Sequence, residues 1–264
     1  PQVYQNLFST KDELGLAISR KNLTIFFSDI AKFTDLSDSL EPEQLAAIIN
    51  SYLSEMATIA IEYGGTIDKF IGDAVLVFFG DPESNGKEQD ALNCLKMAAR
   101  MSEKVVECQE YWASQGATRG IKVRMGITTG FCTVGNFGSD QRMDYTVLGG
   151  PVNLAARLQA LAPSDTILVS ESTQSLLRDH GIFEEFDRIT PKGFTRAIQV
   201  FTFKGFENEQ RPDEQKIINR SGKYVNVRIN NLSSLNDAIS ELKNIEEELK
   251  SLNKDLDETS VVDS

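Results

Sequence analysis

The chain is poor in the residues that build disulfides, soft-metal sites and hydrolase triads, with three cysteines and one histidine among its 264 residues. Cys94, Cys108 and Cys132 have no metal-ligand spacing and leave an odd thiol, which favours reduced cysteines in the cytosol. No Gly-x-Ser-x-Gly nucleophile elbow accompanies the histidine. We therefore interpret His180 as a surface turn residue near a helix end.

Long apolar runs are also missing. No run reaches about 18 residues, the length that a transmembrane helix needs, and no secretory signal is visible. The chain begins at Pro1 without a methionine. We therefore expect a cytoplasmic protein, or the cytoplasmic portion of a longer protein whose upstream sensor or membrane anchor lies outside this sequence.

Basic residues are in the minority, with 27 Lys and Arg against 39 Asp and Glu and a formal net charge of -12. This balance argues against nucleic acid as a partner, because binding a phosphate backbone requires clustered basic side chains. A nucleotide substrate remains compatible with it, because metal ions can mediate between carboxylates and phosphates.

Apolar patterning is plentiful, since 41% of the residues are hydrophobic, enough to bury a core. Buried apolar runs predict strands over 23–29, 66–71, 74–79, 121–130, 132–136, 167–170 and 198–203. Helical spacing predicts a helix from Pro42 to the glycines at 64 and 65, and further helices over about 90–115 and 151–161. The β-α-β-β-α-β order predicts an α+β fold with a ferredoxin-like core and appended α/β elements, an architecture that hosts many functions.

The regions around this domain differ in composition. Residues 1–22 are a short amphipathic lead-in to a domain over 23–204, and residues 205–232 read as a polar linker. Residues 233–258 predict a coiled-coil helix with a heptad seam; an isolated amphipathic helix that folds back on the domain, or a frayed tail, are the alternatives. Residues 259–264 are expected to be disordered. The seam consists of Leu235, Leu242, Leu249 and Leu256, interleaved with Ala238, Ile245 and Leu252.

Two aspartates follow predicted strands. Asp29 ends the first strand, and Asp73 lies at the tip of the predicted hairpin. If neighbouring strands pair, the two carboxylates converge at one edge of the sheet, where they repel unless a cation lies between them. Oxygen-only ligation suits Mg²⁺ or Mn²⁺. The plainer alternative is that Asp29 caps a helix and Asp73 is an ordinary turn residue.

Four ordered segments resemble the signatures of class III adenylyl and guanylyl cyclase domains. They are FFSDIAKFT (26–34), DKFIGD (68–73), RMGITTG (124–130) and YTVLGGPVNLAARL (145–158). The resemblance covers roughly residues 20–204, with the segments in the family's order and spacing. It implies that Asp29 and Asp73, with the carbonyl of Ile30, hold two divalent cations, Mg²⁺ or Mn²⁺, for an in-line attack by the ribose 3′-hydroxyl.

The resemblance also assigns substrate contacts. Backbone amides from Ile30 to Thr34, a segment that includes Phe33, would cradle the phosphates at a helix start. Lys69 would donate to adenine N1, and Thr146 would accept from the adenine 6-amino group. Guanylyl relatives carry an acid at the Lys69 position, so this pair favours ATP.

Further family positions serve the ribose and the phosphates. Asn153 would orient the ribose and Arg157 would stabilise charge on the reacting phosphate, from one face of a short helix. Arg124 and Lys192 match positions that contact the terminal phosphates, and the loop that carries Lys192 is variable. The plainer alternatives are a solvated strand lysine at Lys69, a helix-surface Asn and Arg, and an ordinary turn lysine at Lys192.

The resemblance implies an adenylyl cyclase that converts ATP to 3′,5′-cyclic AMP and pyrophosphate. It also implies a homodimer whose two domains meet head to tail, so that each site draws on both chains. One protomer would supply Asp29, Asp73 and Arg124, and the other Lys69, Thr146, Asn153, Arg157 and Lys192. The alternatives are a guanylyl cyclase, a non-catalytic regulatory or dimerisation module, and a polymerase palm domain, which also uses paired aspartates.

Overall fold

A computed structural model of the chain describes residues 18–139, 141–190, 196–207, 218–221, 226–229, 239–240, 242–247 and 250. The chain divides into two compact units, Pro1–Asn208 and Glu209–Ser264.

The first half of the larger unit has the predicted β-α-β-β-α-β order. Its elements are β1 (Ser19–Ile30), α1 (Phe33–Asp38), α2 (Pro42–Glu62), β2 (Thr66–Ile71), β3 (Ala74–Phe79), α3 (Lys87–Glu107), α4 (Gln109–Ser114) and β4 (Val123–Ser139). The strands lie side by side in the order β2-β3-β1-β4, with every neighbouring pair antiparallel. This arrangement confirms the ferredoxin-like core.

The second half extends the same sheet beyond β4. Its elements are β5 (Arg142–Leu148), α5 (Gly150–Leu161), β6 (Thr166–Ser170), α6 (Glu171–Leu177), β7 (Gly181–Ile189) and β8 (Ile198–Phe206). Strand β6 runs parallel to β4, and β8 and β7 follow it outward, whereas β5 pairs with the far end of β4. These are the appended α/β elements.

Apolar side chains cover both faces of the sheet. On one face the buried side of α2, including Ile48, Tyr52 and Met56, joins Phe26 and Val77 in the main core. On the other face a smaller core forms among β1, β3, β4, β5 and α5. Because β1 contributes to the cores on both faces, residues at its end are held by packing on either side of the sheet.

Several boundaries differ from the sequence prediction. Residues 121–136 were expected to form two strands, but β4 is continuous from Val123, because it pairs with β1 along its first part and with β5 along its second. The helix predicted over 90–115 is interrupted at Cys108 and becomes α3 and α4. The elements β5, α6 and β7 were not predicted, and of α1 only the helix start near Ile30 to Thr34 was implied by the family resemblance.

The smaller unit contains an antiparallel pair of short strands, β9 (Ile218–Ser221) and β10 (Asn226–Ile229). Residues 205–232 were expected to form a polar linker, and these two short strands lie within that range. Residues 239–240, 242–247 and 250 are helical, and of the predicted seam Leu242 and Ile245 are exposed. The other seam residues, residues 1–17 of the predicted lead-in (1–22) and the predicted disordered tail (259–264) lie outside the described residues. The last four residues of the lead-in belong to β1, which begins at Ser19. None of the helices in the described part of the chain has the length and apolarity to cross a bilayer.

Candidate active site

Two aspartates meet at one edge of the sheet, as the sequence predicted. Asp29 is the next-to-last residue of β1, and Asp73 lies in the tight turn between β2 and β3. Strands β1 and β3 are paired up to Ser28 and Val75, which brings the two ends together. The backbone N–H of Ile30 donates to Oδ2 of Asp73 at 2.8 Å. This bond fixes the turn against the end of β1.

A guanidinium holds the first of these aspartates. Arg124 stands opposite Asp29 in the β1–β4 register, and its Nε and Nη2 donate to Oδ1 and Oδ2 of Asp29 at 2.9 and 2.5 Å. This two-point geometry is the strong form of an arginine–carboxylate pair, and it raises the pKa of Arg124. In this structure Arg124, expected to contact terminal phosphates, is therefore bound to a predicted metal ligand.

The electrostatics of the pair leave a surplus of negative charge. Burial raises the pKa of Asp73; the Ile30 amide lowers it, nearby Asp29 raises it and Arg124 lowers it. Two carboxylates thus face one guanidinium, and a bound cation would relieve the remaining repulsion. The described residues contain no group of three or more His, Cys, Asp or Glu that could hold a metal. Two carboxylates suit Mg²⁺, which commonly uses one or two together with water and substrate phosphates.

The turn after β1 corrects the predicted phosphate cradle. The N–H of Ile30 is bonded to Asp73, and the N–H of Ala31 donates to the Lys122 carbonyl at 2.8 Å, so neither is free for a phosphate. The amides that open α1 remain, because the first turn of a helix has no intrahelical acceptors. Of the two residues predicted here, Thr34 is exposed and Phe33 packs partly against the core.

A cavity of about 600 Å³ opens beside this turn. Its lining includes the basic residues Lys32, Arg119 and Lys122 together with Asp35. Lys32 adopts a left-handed conformation at the start of α1, which turns the backbone sharply between strand and helix. The cavity combines a helix start with basic side chains, a combination suited to an anionic group.

A second charged group forms where β5 meets β2. The Thr146 hydroxyl donates to Oδ2 of Asp68 at 2.7 Å, and Lys69 Nζ lies 3.5 Å from Oδ1 of the same carboxylate. The Asp68 side chain is only 1% exposed, whereas that of Lys69 is 42% exposed. The two predicted base-reading residues are thus brought together by a buried carboxylate that the sequence analysis did not single out.

The residue beside Thr146 fastens β5 to the sheet. Tyr145 donates to the buried carboxylate of Asp81, which also pairs with Lys21 on β1. Burial, followed by the bond to Asp81, raises the pKa of Tyr145. Thr146 is therefore presented from a strand that is anchored on both sides.

Helix α5 carries the remaining predicted residues. A Cβ on Gly126 would lie 2.4 Å from the Ala155 carbonyl oxygen, so only glycine lets α5 approach β4 this closely. Asn153 is exposed and Arg157 partly buried. Within the described residues, no side-chain hydrogen bond or ion pair joins either of them to the two charged groups. Lys192 lies outside the described residues.

The lone histidine occupies the predicted kind of position. His180 follows α6 in a surface turn, and its Nε2 lies 2.8 Å from Oε1 of Glu88. This confirms its interpretation as a surface residue near a helix end.

Comparison with known proteins agrees with the geometry. The chain is 32% identical over 212 residues to the terminal-differentiation-specific adenylate cyclase of Dictyostelium discoideum, an alignment that covers 78% of this chain and 10% of that protein. The chain spans 10% to 40% of the length of the first curated relatives that it matches.

Solved structures give the same result. The adenylyl cyclase CyaB from P. aeruginosa superimposes with a TM-score of 0.70 at 48% identity, over 72% of this chain and 96% of that one. The guanylyl cyclase Cya2 superimposes with a TM-score of 0.68 at 31% identity, over 73% and 96%. Residues 17–205 match the family described as the adenylate and guanylate cyclase catalytic domain. The chain belongs to that family.

Proposed function

We propose that the chain is an adenylyl cyclase that converts ATP to 3′,5′-cyclic AMP and pyrophosphate. The observation that carries the choice of base is the pairing of Lys69 with Thr146 across Asp68. Lysine is a pure donor and suits adenine N1, whereas guanine N1 carries a hydrogen. The likeness to CyaB supports the same choice, and the likeness to Cya2 makes guanylyl cyclase the competing candidate.

Asp29 and Asp73, which together form what we call the aspartate edge, would act on the reacting phosphates through bound metal ions. Members of this family generally use divalent metal ions, and Asp29 and Asp73, with the Ile30 carbonyl, would hold Mg²⁺ or Mn²⁺. When bound, such ions supply activation of the ribose 3′-hydroxyl and charge neutralisation on the triphosphate. The amides that open α1 would bind phosphate oxygens directly.

The remaining residues would act on the ribose and the developing charge. Attack of the 3′-oxygen on the α-phosphorus forms the cyclic ester and breaks the bond to the β-phosphate, so pyrophosphate leaves. Asn153 would orient the ribose, and Arg157 would stabilise negative charge on the α-phosphoryl group with a guanidinium that is always ionised. Arg124 and Lys192 would contact the terminal phosphates, for which Arg124 has to share or release Asp29.

A homodimer would complete each site. Asn153 and Arg157 make no side-chain hydrogen bond to Asp29 or Asp73 within the described part of the chain. We expect them to act together with the aspartates of a second copy. Two equivalent sites would then form about a two-fold axis. The proposal of two divalent ions and of a shared site rests on the family resemblance.

The test is a product assay with purified protein. Incubation with ATP or with GTP in the presence of Mn²⁺ should yield cyclic AMP and pyrophosphate from ATP at a much higher rate than cyclic GMP from GTP. Preferential cyclic GMP formation would replace the proposal by a guanylyl cyclase. No product from either nucleotide would favour a regulatory or dimerisation module.

Base choice is predicted to follow the two reading residues. The double substitution Lys69→Glu, Thr146→Cys should lower kcat/KM for ATP and raise the relative use of GTP, because glutamate accepts from guanine N1–H and N2–H. Each buried group left unpaired costs about 1–3 kcal/mol, so ATP use should fall by about 10-fold or more. The matched control is Lys96→Glu, an exposed lysine on α3 outside both charged groups. An unchanged ATP preference in the double variant would mean that the purine is read elsewhere.

A further inference from the structure

Asp68 is a buried acid that the proposed chemistry does not use directly. Its side chain is 1% exposed, although β2 otherwise presents its outer residues to solvent. Burying a carboxylate is costly unless its oxygens find partners. Oδ2 has the Thr146 hydroxyl at 2.7 Å, while the buried Oδ1 makes no hydrogen bond and has only the Lys69 ammonium at 3.5 Å.

The direction of the hydrogen bond matters for recognition. An ionised carboxylate only accepts, so the single hydroxyl hydrogen of Thr146 is committed to Asp68. The Thr146 oxygen then has only lone pairs to offer to a ligand. A free threonine, by contrast, can rotate its hydroxyl and act as donor or acceptor.

We propose that Asp68 is a positioning residue that sets base specificity by fixing Thr146 as a hydrogen-bond acceptor. An exocyclic 6-amino group can donate to such an oxygen. A 6-keto group presents another acceptor and is repelled. The inference rests on the proposed function, in which Thr146 faces the 6-position of the purine. It assigns the discrimination between a 6-amino and a 6-keto group to Asp68, which contacts Thr146 rather than the base.

The ammonium of Lys69 lies beside the same carboxylate, with Nζ 3.5 Å from Oδ1. The Thr146 hydroxyl is bonded to the other oxygen, Oδ2. Because Thr146 is separated by 78 residues from Asp68, this arrangement depends on β5 folding over β2.

The experiment compares ATP with inosine triphosphate, which has a 6-keto group and no 2-amino group. In the protein with Asp68→Ala, the ratio of kcat/KM for ATP to that for inosine triphosphate should fall by about 10-fold or more, the value of one hydrogen bond. Both nucleotides are measured on one preparation, so the ratio does not depend on the fraction of folded protein. Asp68→Leu, which fills the same space without an acceptor, provides a second variant.

Measuring the effect of Asp68→Ala in a protein that already carries Thr146→Val distinguishes the positioning of Thr146 from a general structural role of Asp68. Thr146→Val removes the hydroxyl and should lower the ratio, and adding Asp68→Ala to Thr146→Val should lower it no further. Asp144→Asn, an exposed acid on the same strand as Thr146, should leave the ratio unchanged.

Three outcomes overturn the inference. One is an unchanged ratio in both Asp68 variants. Another is a fall of equal size in the Thr146→Val background, which would mean that Asp68 acts through Lys69. The third is a preference of the unsubstituted protein for inosine triphosphate, which would make the proposed function itself wrong. An ATP preference that is unchanged in the Asp68 variants overturns only the positioning role of Asp68.

Discussion

The hairpin of β2 and β3 contributes an acid to each of two charged groups, and the two groups differ in charge balance. At the tip, Asp73 joins Asp29 against the single guanidinium of Arg124. The carboxylates outnumber the cation, and the pKa of Asp73 is raised, chiefly by burial and to a smaller extent by the charge of Asp29. Such a group is suited to binding a further cation.

In the group on strand β2, the numbers of positive and negative charges are equal. Asp68 faces one ammonium, Lys69, and one hydroxyl, Thr146. No charge is left over, and the carboxylate is almost fully buried. This group is suited to presenting fixed donors and acceptors rather than to binding an ion. The number of carboxylates for each cation therefore distinguishes a candidate metal edge from a candidate recognition edge.

The largest predicted effect on activity follows from removing an acid at the hairpin tip. Asp29→Ala or Asp73→Ala should lower kcat by more than about 100-fold, because even residues that only hydrogen-bond to a metal ligand change metal affinity or activity by about 10- to 100-fold. The measurement is cyclic AMP formation at saturating Mn²⁺, with circular dichroism to establish that the fold is intact. Asp38→Ala, an exposed acid in α1, is the matched control.

A chelator tests the same edge without substitution. Activity should vanish when divalent ions are removed and return when Mn²⁺ or Mg²⁺ is added. An enzyme that keeps its activity in excess chelator would contradict the metal-binding interpretation of the tip.

Mixed dimers ask whether the aspartate edge of one chain works with α5 of another. Asp29→Ala chains and Arg157→Ala chains should each be inactive alone. In a mixed dimer one site inherits both lesions and the other inherits neither. With random exchange half of the dimers are mixed, so activity should recover to about a quarter of the unsubstituted level if the sites act independently.

The control is a tagged pull-down that verifies mixed dimers. If they form and activity stays at background, each site lies within one chain or both sites must be intact for turnover. A mixture of Asp29→Ala with Asp73→Ala chains should not recover, because both residues are expected from the same protomer.

A smaller effect concerns stability at the tip. Because burial raises the pKa of Asp73, the folded protein favours its protonated form, and ionisation of Asp73 costs stability as the pH rises through that pKa. Asp73→Asn should therefore raise Tm by a few degrees in chelator near neutral pH. The gain should shrink as the pH falls through the raised pKa of Asp73, because protonation then removes the same charge in the unsubstituted protein.

Thermal unfolding followed by circular dichroism measures this difference. Added Mn²⁺ should raise Tm of the unsubstituted protein and have little effect on Asp73→Asn, since a ligand stabilises only the state that binds it. Asp144→Asn, an exposed acid, should change Tm little at either pH. A lower Tm for Asp73→Asn in chelator would show that its ionised carboxylate is stabilising.

The sequence predicted those parts of the fold whose signals are local. Strands β2 and β3 have the predicted bounds, because two apolar runs are separated by a glycine-aspartate turn. The edge strand β7 was missed, because its outward residues are charged and only one neighbour pairs with it. The continuity of β4 was missed because the prediction ended one strand at Gly130 and began another at Cys132, whereas pairing with β1 continues through exposed Phe131.

The site shows the same division. Asp29 and Asp73 were identified because each follows an apolar run and matches a family signature. The Asp29–Arg124 pair depends on strand register, and the burial of Asp68 depends on β5 lying over β2. Neither contact can be predicted from the local sequence, so both were identified only from the structure.

The tail should have the smallest effect on catalysis, because neither charged group lies in it. Deletion from residue 233 onward is predicted to weaken dimerisation and to leave activity at high protein concentration unchanged. Leu242 and Ile245 of the predicted seam are 38% and 52% exposed, and burying two such side chains against a partner is worth about 3 kcal/mol or more. That loss corresponds to a Kd increase of about 100-fold.

Sedimentation of the full and shortened chains distinguishes the three interpretations of the tail. A coiled coil predicts that Ile245→Asp weakens the dimer about as the deletion does, while Lys243→Asp on the flank has little effect. A helix that folds back on its own domain predicts instead a lower Tm with unchanged dimer affinity, because its apolar face would be buried within one chain. A frayed tail predicts that neither quantity changes. Equal dimer affinity with and without the tail would therefore make the coiled-coil prediction wrong, and Tm would decide between the two that remain.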